Sequence, residues 1–168
     1  MMHKNEYAPY FEQYLELVDK DKSIIYNLES SQKEFESILL LLPKEKQTYA
    51  YAAGKWTIKE LIQHIIDTER IFCYRALCFA RNDKTELPGF DQDIFVNNGK
   101  ANDLDFYDLL DEMKALRKST IQLFKSFSDE ALVRMGIASS NKISVRALGY
   151  LFSGHQLHHL NVVKERYV

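Results

Sequence analysis

Apolar residues recur at helical spacing through four long stretches of the chain, and glycine and proline are rare within them. The caps support this reading: Asp21 precedes the first stretch, Thr57 begins a T-x-x-E capping-box pattern, Asp103 or Asp105 precedes the third, and Ser144 precedes the last. The four predicted helices cover about residues 22–42, 57–80, 105–127 and 144–166. The pattern predicts an all-α protein.

The segments between these stretches predict how the helices are connected. A short helical piece precedes them at about 9–18, and Pro43 ends the first long helix. The connection 81–102 is rich in turn residues, yet it also carries apolar side chains at Leu87, Phe90, Ile94, Phe95 and Val96. We therefore expect an ordered lid that forms a pocket wall. Two long connections, 43–56 and 81–102, favour a four-helix bundle with crossover connections over a simple up-and-down order.

Size and composition limit the classes of protein to consider. A chain of 168 residues fits one domain, taken as residues 1–168. With 22 basic and 24 acidic residues the formal charge is −2, so we expect no nucleic-acid partner. No apolar run approaches the roughly 20 residues of a membrane span, and the N-terminus lacks a secretory pattern. The sequence therefore predicts a cytoplasmic protein without a membrane partner.

Two histidines on the last predicted helix are the strongest chemical signal. His155 and His159 are four residues apart, a spacing that places both imidazoles on one helix face and is common in zinc sites. Both replace apolar residues in the inward stripe that includes Leu148, Phe152 and Val162. Buried imidazoles need partners, so the pair predicts a shared metal ion. The alternative is a hydrogen-bonded core pair.

A third ligand is expected from another helix. His64 is the remaining histidine in a helix interior, since His3 lies near the N-terminus and His158 falls on the flank of the pair. His64 lies at the edge of its helix's apolar stripe, so a boundary position without a metal role remains the alternative. We predict that His64, His155 and His159 are the metal ligands.

Glu69 is unexpected because it lies on the same helix face as apolar residues such as Ile62, Ile65 and Phe72. A carboxylate that faces the core needs a partner. It could form an ion pair with an arginine from another helix, or serve as a base or supporting partner near the metal. Glu69 is therefore the candidate catalytic residue.

Five segments in order resemble the DinB superfamily. They are GKWTIKE (54–60), HIIDTER (64–70), YRAL (74–77), LPGFD (87–91) and GHQLHH (154–159), the last followed by KERY (164–167). The resemblance implies a DinB/YfiT-like bundle, often dimeric, with nickel or zinc held by one histidine of the second helix and an H-x3-H pair of the fourth. In this chain those residues are His64, His155 and His159. Some relatives use a low-molecular-weight thiol as co-substrate.

Three imidazoles leave an open position on a metal, which can activate a thiol or a water molecule. We expect a thiol S-transferase acting on a small-molecule electrophile, with a metal-dependent hydrolase as the alternative. A non-catalytic, metal-binding stress-response bundle is the rival from another class, although structural zinc sites usually have four protein ligands. Candidates for the pocket mouth are Trp56, Phe90, Asp91 and Asn97. A homodimer is also expected.

Overall fold

The computed structural model describes residues 2–168 and is mainly helical. Its α-helices, in chain order, are α1 (Glu12–Leu15), α2 (Ile24–Leu39), α3 (Ile58–Ala80), α4 (Gln92–Gly99), α5 (Phe106–Lys125), α6 (Asp129–Leu132) and α7 (Val145–Arg166). Short 3-10 helices occur at Lys4–Glu6, Pro9–Phe11, Lys44–Lys46 and Ala101–Asp103. A β-hairpin, formed by β1 (Met135–Ala138) and β2 (Asn141–Ser144), lies between α6 and α7.

Local capping determines where the long helices begin. Thr57 forms the predicted capping box of α3: its side chain accepts from the Glu60 amide, and the Glu60 side chain accepts from the Thr57 amide. Asp105 and Ser144 cap α5 and α7, as the sequence indicates. The predicted cap of the first long helix is wrong, because Ser23 rather than Asp21 accepts from the Tyr26 amide. That helix starts at Ile24 and ends at Leu39, before Pro43.

The four long helices form a bundle in which chain neighbours are not always spatial neighbours. Helix α2 packs against α5 and α7, and α3 packs against the same two helices. Helices α2 and α3 are therefore placed diagonally, although they follow one another in sequence. Helices α5 and α7 are diagonal as well, so the crossovers run through 40–57 and 126–144, which confirms the predicted bundle with crossover connections. The long connection 81–105 joins the adjacent helices α3 and α5, so the prediction that it is a crossover is wrong.

The hairpin was not expected from the sequence. Ser139 and Ser140 connect its strands with φ angles of +52° and +60°, as in a type I′ turn. Such turns usually contain Asn-Gly or Asp-Gly, and this pair of serines gives no comparable sequence signal. Leu87 pairs with Ala138 beside the hairpin, and its amide donates to Ile137 O. The 81–91 segment is thereby fixed to the hairpin, which makes it an ordered wall as predicted.

Two apolar clusters fill the bundle, one toward each end. One includes Phe72 and Phe152, and the other includes Ile65 and Leu160. On both α3 and α7, buried polar residues occupy the helix turns between these clusters. Over residues 2–168, no helix has the length and apolar character needed to cross a membrane. The fold therefore places a buried polar layer across the middle of the bundle.

Candidate metal centre

Three imidazoles from α3 and α7 converge within the polar layer. The Nε2 atom of His155 lies 3.1 Å from Nε2 of His64 and 3.1 Å from Nε2 of His159. His155 and His159 come from successive turns of α7, and His64 comes from the adjacent face of α3. His64 and His155 are buried, whereas His159 is partly exposed. The two helices thus bring together all three histidines that the sequence predicts as ligands.

The surroundings keep these imidazoles neutral. Burial lowers the pKa of His64 to about 4. Burial, followed by the neighbouring imidazoles, holds the pKa values of His155 and His159 well below the ordinary value of 6.5. A neutral imidazole has one unprotonated ring nitrogen, which is the form that binds metals. At neutral pH the cluster is therefore ready to bind a cation without first losing protons.

The donor set suits a divalent metal ion. Histidine nitrogens bind zinc at about 2.0 to 2.1 Å, which places neighbouring ligand nitrogens about 3.0 to 3.4 Å apart. The observed separations of 3.1 Å fall within this range. Within residues 2–168, these histidines are the only group of three or more His, Cys, Asp or Glu side chains close enough to share an ion. The residues present therefore fit a site with three protein ligands and at least one remaining coordination position.

Glu69 lies in the same polar layer but is not part of the group of side chains that could share an ion. Its carboxylate accepts from Nε and Nη2 of Arg117, at 2.9 and 2.7 Å, and from the Thr120 hydroxyl at 2.6 Å. Arg117 also donates to Leu28 O and to Gln156 Oε1. Glu69 thus forms an ion pair with an arginine from another helix, which is one of the two roles that the sequence allowed for it. These contacts join all four long helices next to the candidate metal ligand His155, which immediately precedes Gln156 on α7.

A cavity of about 330 Å³ opens beside His64 and His155. Its wall includes Phe90, one of the candidate pocket residues, together with Gln92 at the start of α4. A second cavity of about 340 Å³ lies beside His159 and is lined by Trp56. Gln92 lines both cavities, so the start of α4 lies between them.

Of the four candidate pocket residues, two line the cavities beside the histidines and two do not. The Trp56 ring lies 4.7 Å from the His64 ring, measured between centroids. Asp91 caps α4, accepting from the amides of Asp93 and Ile94, and it is exposed. Asn97 is exposed on α4, and neither it nor Asp91 lines either cavity beside the histidines. Trp56 and Phe90 are thus placed at the site, whereas Asp91 supports it by holding the helix start.

The N-terminal segment forms the opposite wall of the first cavity. The Tyr14 ring of α1 lies 5.9 Å from the His155 ring and 5.2 Å from the His158 ring. Burial raises the pKa of Tyr14 to about 12, so its phenol stays protonated. Helix α1 can approach α7 because residue 154 is glycine: a Cβ atom there would lie 2.2 Å from Tyr14 O. No helical pattern in the sequence places Tyr14 at the site, because this approach depends on a contact across nearly the whole chain.

Comparisons with known proteins agree with this geometry. A protein of Oceanobacillus iheyensis named "Putative metal-dependent hydrolase" is 26% identical over 125 residues, covering 73% of this chain and 71% of that protein. YfiT from Bacillus subtilis, described as a probable metal-dependent hydrolase with an unusual four-helix bundle topology, superimposes with a TM-score of 0.75 at 17% identity, over 88% of this chain and 87% of that one.

A mycothiol-dependent maleylpyruvate isomerase has the same fold over part of its length. Its TM-score is 0.67 at 12% identity, and the match covers 90% of this chain and 59% of that one. The family model of the DinB superfamily matches residues 27–163, which include His64 on α3 and the His155 and His159 pair on α7. This chain belongs to the DinB superfamily.

Proposed function

We propose that this protein is a metal-dependent enzyme that transfers a low-molecular-weight thiol to a small electrophile. His64, His155 and His159 would hold a divalent ion, with nickel or zinc as the expected metals. Such an ion, when bound, lowers the pKa of a thiol in its remaining coordination position and so supplies a nucleophile at neutral pH. The thiol would give up its proton to solvent, and its sulfur would form a C–S bond to an electrophilic carbon while the bond from that carbon to a leaving group, or to an epoxide oxygen, breaks.

The observation that carries the proposal is the composition of the cluster: three imidazoles and no carboxylate. Within residues 2–168, no Asp or Glu joins the histidine group. Zinc hydrolases of the H-E-x-x-H type place a glutamate beside the metal as general base for water. The buried carboxylate of Glu69 is held by Arg117 and Thr120 instead. A thiol needs no such base, because coordination to the metal is sufficient to deprotonate it.

The chain's own residues would position the reactants. Phe90 and Tyr14 form apolar walls of the first cavity beside His64 and His155. This cavity, of about 330 Å³, is of the size that small ligands occupy. The Tyr14 phenol stays protonated and can donate a hydrogen bond to a substrate oxygen. Gln92, which lines both cavities, would lie between two reactants that enter from opposite sides.

Hydrolysis is the second candidate, and it is favoured by the names of two similar proteins, which describe metal-dependent hydrolases. In that case the open position would activate water rather than a thiol. His158 lies beside His159, with the ring centroids 5.2 Å apart, and could then serve as the base that a carboxylate supplies elsewhere. Replacement of His158 by Gln would reduce hydrolysis but leave thiol transfer largely intact.

The proposal is tested by assaying one metal-loaded preparation against two substrate sets. The first set pairs low-molecular-weight thiols with alkylating electrophiles, and the second contains activated esters and amides. We expect the wild type to consume the thiol in a metal-dependent reaction. This activity should be lost in His155→Ala and retained in His158→Gln. Metal-dependent ester or amide cleavage without thiol transfer would replace this proposal with hydrolysis. No turnover in either set would favour the non-catalytic, metal-binding bundle.

A further inference from the structure

Arg75 is a buried cation without a carboxylate partner. Arg75 is 5% exposed, and within residues 2–168 no Asp or Glu oxygen lies within 4.0 Å of its guanidinium nitrogens. The other deeply buried arginine, Arg117, is paired with Glu69 at 2.7 Å. Buried charges in proteins are normally paired, because removing them from water is unfavourable. Arg75 thus lacks the compensation that Arg117 has.

Hydrogen bonds satisfy only part of the Arg75 side chain. Its Nη2 donates to Pro88 O and to Ser139 Oγ, both at 2.9 Å. A guanidinium has five N–H donors, and Nε and Nη1 have no protein acceptor within residues 2–168. The Phe72 ring, 5.8 Å from the guanidinium carbon, provides a cation–π contact but accepts no conventional hydrogen bond. Donors therefore remain for a ligand.

Arg75 faces the cavity that adjoins the histidine cluster. His64, Thr68 and Arg75 are separated by four and seven residues, so they share one face of α3. All three line the cavity, and none of the residues that line it is Asp or Glu. The Thr68 hydroxyl, between the other two, is buried without a hydrogen-bond partner within the described residues. The cavity thus has metal ligands at one end, an unpaired cation at the other, and an unsatisfied hydroxyl between them.

We propose that Arg75 binds a carboxylate group of the ligand that occupies this cavity. The ligand's reactive end would then lie toward His64 and His155, and this orientation rests on the function proposed above. Binding of the carboxylate itself depends only on Arg75 and the cavity. Arginine binds a carboxylate strongly because the hydrogen bonds are charge-assisted, and more so where water is excluded.

The shape and lining of the cavity define the rest of the ligand. Aromatic side chains of Tyr10, Phe11, Phe72 and Phe90 contribute to the wall, so the body of the ligand should be apolar or aromatic. The Phe72 ring centroid lies 5.8 Å from the Arg75 guanidinium carbon and 6.1 Å from the His155 ring centroid, so the guanidinium is at most about 12 Å from that ring. The cavity volume of about 330 Å³ is much larger than a short anion such as acetate, which would leave most of it unfilled. The ligand class is therefore an elongated apolar carboxylic acid or a carboxylate-bearing thiol.

A purely structural role for Arg75 predicts different behaviour. In that case its two hydrogen bonds would only hold the 81–91 segment against the hairpin, through Pro88 and Ser139. Ser139→Ala removes one of these contacts and leaves the guanidinium in place. It is therefore the matched control for Arg75→Gln, which removes the charge. A structural role predicts similar effects of the two variants, whereas ligand binding predicts that only the loss of charge matters.

The experiment compares 4-phenylbutanoate with its neutral amide, 4-phenylbutanamide, by isothermal titration of the metal-loaded protein without added thiol. We expect the carboxylate to bind at least tenfold more tightly than the amide in the wild type and in Ser139→Ala. Arg75→Gln should abolish this preference while leaving amide binding unchanged. Because no turnover is measured, the result is informative even if thiol transfer fails.

Two results would overturn the proposal. One is the absence of any preference for the carboxylate in the wild type, which requires no variant and so remains decisive if Arg75→Gln does not fold. The other is a preference that persists in a folded Arg75→Gln, since the carboxylate would then be held by the metal or another group. Arg75→Lys keeps the charge without the planar donors and should retain only part of the preference.

Discussion

The Nη2 atom of Arg117 donates to Oε2 of Glu69 over 2.7 Å, in a part of the core where both side chains are almost fully buried. Arg117 comes from α5 and Glu69 from α3, and Arg117 also donates to Gln156 on α7, next to His155. The ion pair and this hydrogen bond therefore connect the two helices that supply the three clustered histidines. Its contacts support a positioning role for Glu69.

Removing one partner of this pair should be strongly destabilising. Glu69→Ala leaves the Arg117 guanidinium buried without its carboxylate, which costs about 3 to 5 kcal/mol in the free energy of unfolding. The double variant Glu69→Leu/Arg117→Met removes both charges and should be less destabilising than Glu69→Ala alone. Urea denaturation of the single and double variants measures this difference. A Glu69→Gln variant with unchanged stability and no turnover would instead indicate that Glu69 is a catalytic base.

Metal content should depend on the three histidines of the cluster and on no neighbouring histidine. We expect about one divalent ion per chain in the wild type, and none after replacement of both His155 and His159 by Ala. His158→Ala is the matched control, because His158 is on the same helix but lies outside the cluster. Elemental analysis after gel filtration measures the stoichiometry. Full metal content in the double variant would place the ion elsewhere.

Acid should destabilise the metal-free protein from about pH 6.5 downward. The pKa of His64 is about 4 in the folded state and near 6.5 in the unfolded chain. Below pH 6.5 the unfolded state binds a proton that the folded state does not, so stability falls as the pH drops toward 4. For His64 alone, the full loss is on the order of 3 kcal/mol. Above pH 6.5, His64 is neutral in both the folded and the unfolded state and causes no loss of stability.

The measurement is thermal or urea unfolding of chelated protein between pH 8 and pH 4, with His64→Gln as the comparison. The free energy of unfolding of the variant should fall less over this range, because the variant lacks the imidazole that the folded wild type keeps unprotonated. Equal pH dependence in the two proteins would show that His64 is accessible to protons in the folded state.

Chelation should leave the bundle helical. Two apolar clusters fill its core independently of the metal site, unlike the core of a zinc finger. Removing a bound ligand lowers stability only by RT ln(1 + [L]/Kd), which is about 3 to 4 kcal/mol at 100- to 1,000-fold saturation. Circular dichroism before and after chelation checks this prediction. Loss of helical signal at 25 °C would mean that the ion is needed for folding.

The remaining coordination position should be open to exogenous ligands. With cobalt or nickel in the site, the absorption spectrum should change when a thiol is added. The His158→Ala variant should give the same change as the wild type. A spectrum unaffected by thiols and by small anions would indicate a closed, structural site.

The sequence predicted the features that depend on local patterns. The capping residues Thr57 and Ser144 define where α3 and α7 begin, and the helical period then places His155 and His159 on one inward face. The hairpin was missed because its two-serine turn has no distinctive composition, and its strands are only four residues long. The roles of Tyr14 and Arg75 could not be inferred for another reason. Each depends on contacts with segments far away in the chain, which no local period encodes.

Gly154 has a consequence for the width of the cavity beside the histidines. The residue immediately before His155 has no side chain, and the backbone of α1 lies in the space that a methyl group would fill. Helix α7 and the N-terminal segment are therefore in contact at the turn that carries His155 of the histidine cluster. A side chain at position 154 would therefore force α1 and α7 apart and widen the cavity that Tyr14 and His155 line.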